Sequence, residues 1–138
     1  METNRTITVS AVVVHDTAGR LLTVRKRGTE RFMHPGGKPE PGETPARTAA
    51  RELAEELGLH VSPDELVHRG RVETPTANEP GFLLVAEVFA VPRAVDAAEV
   101  AAHAEIAELR WVDPAELGGL DETDCAPWAP LLTHAVAR

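Results

Sequence analysis

Apolar and polar positions along the chain form runs of two periods, and the period of each run predicts its element. Thr6 to Val14 is rich in Ile, Val and Thr and reads as a strand. His15 to Gly19 follows as a hairpin turn, with Gly19 where a positive φ is wanted. Leu21 to Arg27 returns as a second strand. Its alternation puts Leu22 and Val24 on one face and Thr23, Arg25 and Arg27 on the other. The period then changes: Ala46, Ala49, Ala50, Leu53 and Leu57 recur at helical spacing. Thr44 suits the N-cap, Pro45 the first helical position and Gly58 a left-handed C-cap, which bounds that helix. Leu66 to Thr74 and Gly81 to Val91 read as strands joined by a loop running from Pro75 to Pro80. The second is a near-continuous apolar run, which predicts a central place in the sheet, and its Glu87 needs a partner or an edge to water. Asp96 to Ala102 offers a helical turn, and Ile106 to Val112 is the next strand. Asp113 caps a short helix reaching Leu117. Leu120 to Arg138 closes with an amphipathic helix, capped by Asp124 and striped by Trp128, Leu131, Leu132, Ala135 and Val136.

The polar face of the central helix changes the picture. Thr48, Arg51, Glu52, Glu55 and Glu56 share it, and the three glutamates fall within a wedge of about 100°. Glu52 meets Glu56 at i+4, where a design for stability alone would place a lysine. Arg51, four residues before Glu55, relieves part of the repulsion. Two readings follow: a solvated acidic face, or a site for a hard divalent cation that takes oxygen ligands. Charge along the chain is uneven. From Arg20 to Lys38 six basic residues (Arg20, Arg25, Lys26, Arg27, Arg31, Lys38) face one acid, Glu30. A basic strip beside an acidic cluster suits a metal-bound phosphate ester, although two unrelated surfaces would give the same counts.

The spacing from Gly37 to Leu59 is more specific than either feature. Gly37, Glu43, Arg51, Glu52, Leu53, Glu55, Glu56, Gly58 and Leu59 fill every fixed position of G-x5-E-x7-R-E-U-x-E-E-x-G-U, with U apolar. This stretch resembles the Nudix box. The resemblance implies an α/β Nudix fold, a mixed curved β-sheet sandwiched between helices (an α/β/α sandwich), as one domain over residues 1–138. It also implies metal-assisted attack of water on a pyrophosphate. Glu52, Glu55, Glu56 and the Gly37 carbonyl would hold Mg²⁺, with Mn²⁺ as the alternative. Glu52, Glu56 or a late acid, Glu105 before Glu108, would act on the water. Glu43 and Arg51 would be structural support, paired across the loop. Arg25, Arg27, Phe32, His34 and Lys38 are the substrate-binding candidates. Relatives often carry a bulky apolar residue before the Pro35-Gly36-Gly37 stretch; His34 departs from that, and could meet a base or cap a strand end.

Composition narrows the partners. A formal net charge of −8 argues against general nucleic-acid binding. No apolar run approaches a membrane span, the first residues lack a signal-peptide pattern, and Cys125 is alone. These favour a cytoplasmic protein, and the resemblance implies an enzyme, a monomer or homodimer, whose partner is a small nucleotide. The first substrate reading is a (d)NTP or oxidised (d)NTP cleaved to NMP and pyrophosphate. The alternatives are ADP-ribose or a nucleotide sugar, for which Pro75 sixteen residues past Leu59 is the one sign, and a catalytically silent nucleotide sensor.

Overall fold

The structure, a computed structural model, describes residues 6–75 and 81–113. Seven strands and one α-helix are defined there: β1 Thr6–Val13, β2 Leu21–Lys26, β3 Phe32–Met33, β4 Gly36–Gly37, α1 Pro45–Leu57, β5 Val67–Pro75, β6 Leu83–Ala90 and β7 Ile106–Val112. Short 3₁₀ turns at Pro63–Glu65 and Ala97–Glu99 are each closed by a capping box, from Ser62 and Asp96. The expected helices at 114–117 and 120–138, with Asp124 and Trp128, and the loop at 76–80 lie outside the described residues.

The strands build two sheets. A mixed sheet has the order β4-β1-β6-β5, and an antiparallel one the order β3-β2-β7. In the mixed sheet β6 is central as expected, parallel to β1 from Thr6↔Leu83 to Val13↔Ala90 and antiparallel to β5. Glu87 is paired, 2.8 Å from His68 Nε2 and 3.7 Å from Arg71 Nε.

One strand pair departs from the sequence reading. The turn after β1 forms: Asp16 Oδ1 accepts the Ala18 and Arg20 N–H groups, and Gly19 has φ 83°. Yet β1 and β2 do not run on as one hairpin ladder. Only the His15↔Leu21 bridge and the Leu22 N–H bond to the Val14 carbonyl join them, and each strand then enters a different sheet. Packing is the reason. Val12 and Val14 of the first arm and Leu22 and Val24 of the second are all buried in one cluster with Leu53, Leu57, Phe89 and Ile106. The sheets splay so that both arms contribute to that core, where most of the hydrophobic stabilisation lies.

Helix α1 has the expected ends. Thr44 accepts the Arg47 N–H, and Gly58 adopts φ 69° with its N–H on the Ala54 carbonyl. Its faces differ from expectation. Ala49, Leu53 and Leu57 are buried as expected, but so are Thr48, Glu52 and Glu56. The helix is pressed on two sides, by the core and by the β4 segment. The acidic face is therefore an interior surface.

Candidate active site

Four anchors set the site. β4 pairs with β1 as Ser10↔Gly37 and Ala11↔Gly36, and the Val12 N–H bonds the Pro35 carbonyl at 2.9 Å. The Ser10 hydroxyl donates to the Pro45 carbonyl, which ties the start of α1 to the same strand. Gly36 has φ 150°, and a side chain there would strike the Ser10 carbonyl. A side chain on Gly37 would occupy the place of the Glu52 carboxylate. Glycine is required at both positions because α1 lies directly on this backbone.

Arg51 organises the mouth of the site. Its Nε and Nη2 form a fork on Glu43 at 2.8 and 2.9 Å, Nη1 reaches Glu52 at 3.0 Å and Glu55 at 3.2 Å, and Nη2 also donates to the Lys38 carbonyl. Glu43 in turn accepts the Thr48 hydroxyl and the Glu40 N–H. These bonds, Arg51 first, hold the Glu43 carboxyl down at about 2. The Glu43 carboxylate first, and then Glu52, raise Arg51 above its ordinary value, against burial.

Beneath this mouth, Glu52, Glu56 and Glu105 each turn one carboxylate oxygen inward, and the three oxygens lie within 4.8 Å of one another. Glu56 is 1% exposed. Its Oε1 accepts the Gly36 N–H at 3.1 Å, while its buried Oε2 has no hydrogen-bond partner among the described residues. Burial, against the pull of that N–H, pushes Glu56 up to about 8; the Glu52 and Glu105 charges add to the push, and Lys26 opposes it. Glu52 is also raised, by burial first, and Arg51 opposes. A buried carboxylate oxygen with nothing to bond to costs free energy in a protein that must fold. A divalent cation would satisfy it: three carboxylates around one point are the donor set of a hard, oxygen-seeking ion.

Glu105 arrives from a distant loop that is fastened on both sides. The Ala101 and His103 N–H groups cap the end of α1 at the Leu57 and Glu56 carbonyls, at 3.1 and 2.9 Å. The Arg27 N–H holds the Glu105 carbonyl at 2.7 Å.

A family model for the NUDIX domain matches residues 4–134. The chain belongs to the Nudix hydrolase family. It is similar to an 8-oxo-dGTP diphosphatase of Haemophilus influenzae, 38% identical over 74 residues, which are 51% of this chain and 54% of that protein. The chain thus spans about half the length of that relative. It is 32% identical over 138 residues to an isopentenyl-diphosphate Delta-isomerase of Nocardia farcinica, covering 91% of this chain and 74% of the other. Among solved structures it resembles the MutT protein of Methanosarcina mazei Go1, with a TM-score of 0.78 over 98% of this chain and 96% of that one, at 21% identity. That likeness is one of fold: the Nudix α/β sandwich.

Within the Nudix site the candidates are distributed as follows. Gly37, Glu52, Glu56 and Glu105 come together, with Glu43 and Arg51 holding the edge. Glu55 is outside the three-oxygen group; its half-exposed carboxylate is on Arg51. Lys38 is exposed at the rim. Arg25 is tied to Glu108 at 3.0 Å and to the Thr29 carbonyl, and Arg27 Nη1 to the Ala104 carbonyl at 3.1 Å. Two of the substrate-binding candidates are buried. His34 is 1% exposed, and burial pulls its imidazole down to about 3, so it is neutral and has no open face for a base. Phe32 is 5% exposed, with the Arg110 guanidinium 4.3 Å over its ring. Sequence reasoning missed Lys26. Strict alternation separated it from Arg25 and Arg27; the pairing with β7 shifts register at this point, and the Lys26 charge acts on Glu56. Thr48 shares the polar face in the sequence, but its burial and its bond to Glu43 are set by the tertiary structure.

Proposed function

We propose that this Nudix hydrolase is a Mg²⁺-dependent nucleotide pyrophosphohydrolase, with Mn²⁺ as the alternative ion, acting on a (d)NTP or oxidised (d)NTP to give NMP and pyrophosphate. The observation that carries the metal chemistry is the buried, unbonded Glu56 oxygen facing Glu52 and Glu105. Glu52 and Glu56 would hold the ion, with the Gly37 backbone beside them. Such an ion, when bound, supplies Lewis acidity toward phosphate and toward the attacking water. Glu105, the exposed member of the three, would accept a proton from that water. Water oxygen bonds to phosphorus, the anhydride P–O bond breaks, and pyrophosphate carries away the electron pair. Lys26 adds positive charge beside the carboxylates, where a phosphate must enter. Arg51 and Glu43 keep Glu52 in place throughout.

The nucleoside triphosphate reading draws support from the diphosphatase relative. The ADP-ribose alternative rests on Pro75, which also ends β5 opposite Leu83. No glutamate of the box is missing, so a silent sensor has nothing to recommend it. A cytoplasmic monomer or homodimer, free of nucleic acid and membrane, completes the proposal; among the described residues no helix is long and apolar enough to cross a membrane.

The test is pyrophosphate and phosphate release with Mg²⁺ across dNTPs, 8-oxo-dGTP, ADP-ribose, nucleotide sugars, diadenosine polyphosphates and coenzyme A, with Glu56→Gln as control. Turnover of a triphosphate that is lost in the control is expected. Turnover confined to ADP-ribose or a nucleotide sugar would replace the substrate reading. Tight nucleotide binding with no turnover would refute the enzymatic one.

A further inference from the structure

Arg27 stands one residue past the end of β2, exposed, and the strand alternation groups it with Arg25 as a residue for substrate phosphates. Its contacts point elsewhere. The Arg27 N–H donates to the Glu105 carbonyl at 2.7 Å, and its Nη1 donates to the Ala104 carbonyl at 3.1 Å. One residue therefore holds two consecutive carbonyls of the loop that delivers Glu105. The residue between the fastenings is conformationally unusual. Ala104 has φ 54°, and among the described residues it is the one non-glycine in the left-handed region. An alanine does not keep that backbone unless its surroundings over-determine it.

The surroundings here are identifiable. On the upstream side the His103 N–H is fixed to the Glu56 carbonyl, and the His103 carbonyl accepts the Ile106 N–H at 3.0 Å, which closes the turn. On the downstream side Ile106 enters β7 opposite Lys26, just past the register shift that leaves Ala107 unpaired in β7. The chain reverses at Ala104 between these points, and the reversal aims the Glu105 carboxylate at Glu52 and Glu56. The Arg27 guanidinium adds a side-chain hydrogen bond onto that reversal.

We propose that Arg27 is a positioning residue: it holds the left-handed turn at Ala104 and thereby aims Glu105 into the carboxylate group. This rests on the reading of Glu52, Glu56 and Glu105 as one cation site. Partners that orient ligands from outside commonly matter to metal affinity as well as to rate.

The experiment compares Arg27→Ala, Arg27→Lys, Glu105→Gln and the double variant Arg27→Ala/Glu105→Gln. Two readouts are taken: kcat and KM on the substrate the protein turns over, and Mn²⁺ binding by electron paramagnetic resonance without any nucleotide. Arg27→Ala is expected to weaken Mn²⁺ binding and lower kcat by about tenfold, the low end for an outer partner, with KM nearly unchanged. Arg27→Lys should recover part of both. In the Glu105→Gln background, Arg27→Ala should add nothing, since the group it aims is gone. A raised KM with kcat intact would mean that Arg27 binds substrate directly and would overturn the proposal. So would Mn²⁺ affinity untouched by Arg27→Ala, or losses that multiply in the double variant. Wild-type protein that binds no Mn²⁺ would instead sink the cation-site reading, and the positioning role with it. Normal Mn²⁺ binding without turnover leaves the metal arm to decide.

Discussion

Glu56→Gln is expected to abolish turnover and yet to stabilise the metal-free protein at neutral pH. In the folded chain the Glu56 carboxyl is raised from 4.5 to about 8 by burial, so the folded state holds a proton that the unfolded state releases. The stability associated with that proton is fully present below pH 4.5 and is lost as pH rises toward 8. By linkage the loss reaches about 3 kcal/mol at pH 7 and approaches about 5 kcal/mol well above pH 8. Glutamine removes this cost. Its carbonyl oxygen can still accept the Gly36 N–H, and its amide can take the place of the unpartnered Oε2, beside the Glu52 carboxylate. The assay is thermal unfolding of wild type and Glu56→Gln in EDTA from pH 5 to 8.5. The variant should melt roughly 5–10 °C higher at pH 7, and the gap should close near pH 5. Millimolar Mg²⁺ should then reverse the order, because the ion stabilises the folded state of the wild type alone. A gap that is absent at pH 7, or that widens as pH falls, would refute the account of Glu56 as a buried acid awaiting a cation.

Gly37→Ala should fold but displace the Glu52 carboxylate, with kcat falling by about 100-fold, while Gly36→Ala, which meets the Ser10 backbone instead, should fail to give soluble protein; activity and circular dichroism separate the two. Glu43 contributes stability present above pH 4.5 and lost as pH falls toward 2, so Glu43→Gln should flatten the acid limb of a melting-temperature profile, and Arg51→Ala should flatten it equally. Ala104→Gly relieves a left-handed backbone and should raise stability by about 0.5–1 kcal/mol, read by urea unfolding with Mg²⁺ present. His68→Ala leaves Glu87 with Arg71 at the half-exposed end of β5 and should cost about 1 kcal/mol or less, with catalysis unchanged.

The sequence by itself determined whatever depends on neighbours along the chain. Thr44, Pro45 and Gly58 bound α1 because caps are satisfied within one turn. Glu43 and Arg51 meet because a glycine-proline loop and two helical turns fix their separation. The apolar run of β6 required cover on both faces: Phe89 lies in one core cluster and Ala86 and Val88 in the other, with β1 and β5 as its neighbours in the sheet. Tertiary structure decided the rest. It buried Glu52 and Glu56, because β4 folds back onto the helix face that periodicity alone leaves to solvent. It put Glu105 in the site and left Glu55 on Arg51, because side chains fifty residues apart meet only through the loop that caps α1 and hangs on Arg27. It hid His34 and Phe32, and it sent β1 and β2 into separate sheets around one core. Periodicity records which residues share a face. What that face is packed against is fixed by contacts between segments far apart in the chain, and those set the burial that raises Glu56 and makes the acid cluster a site.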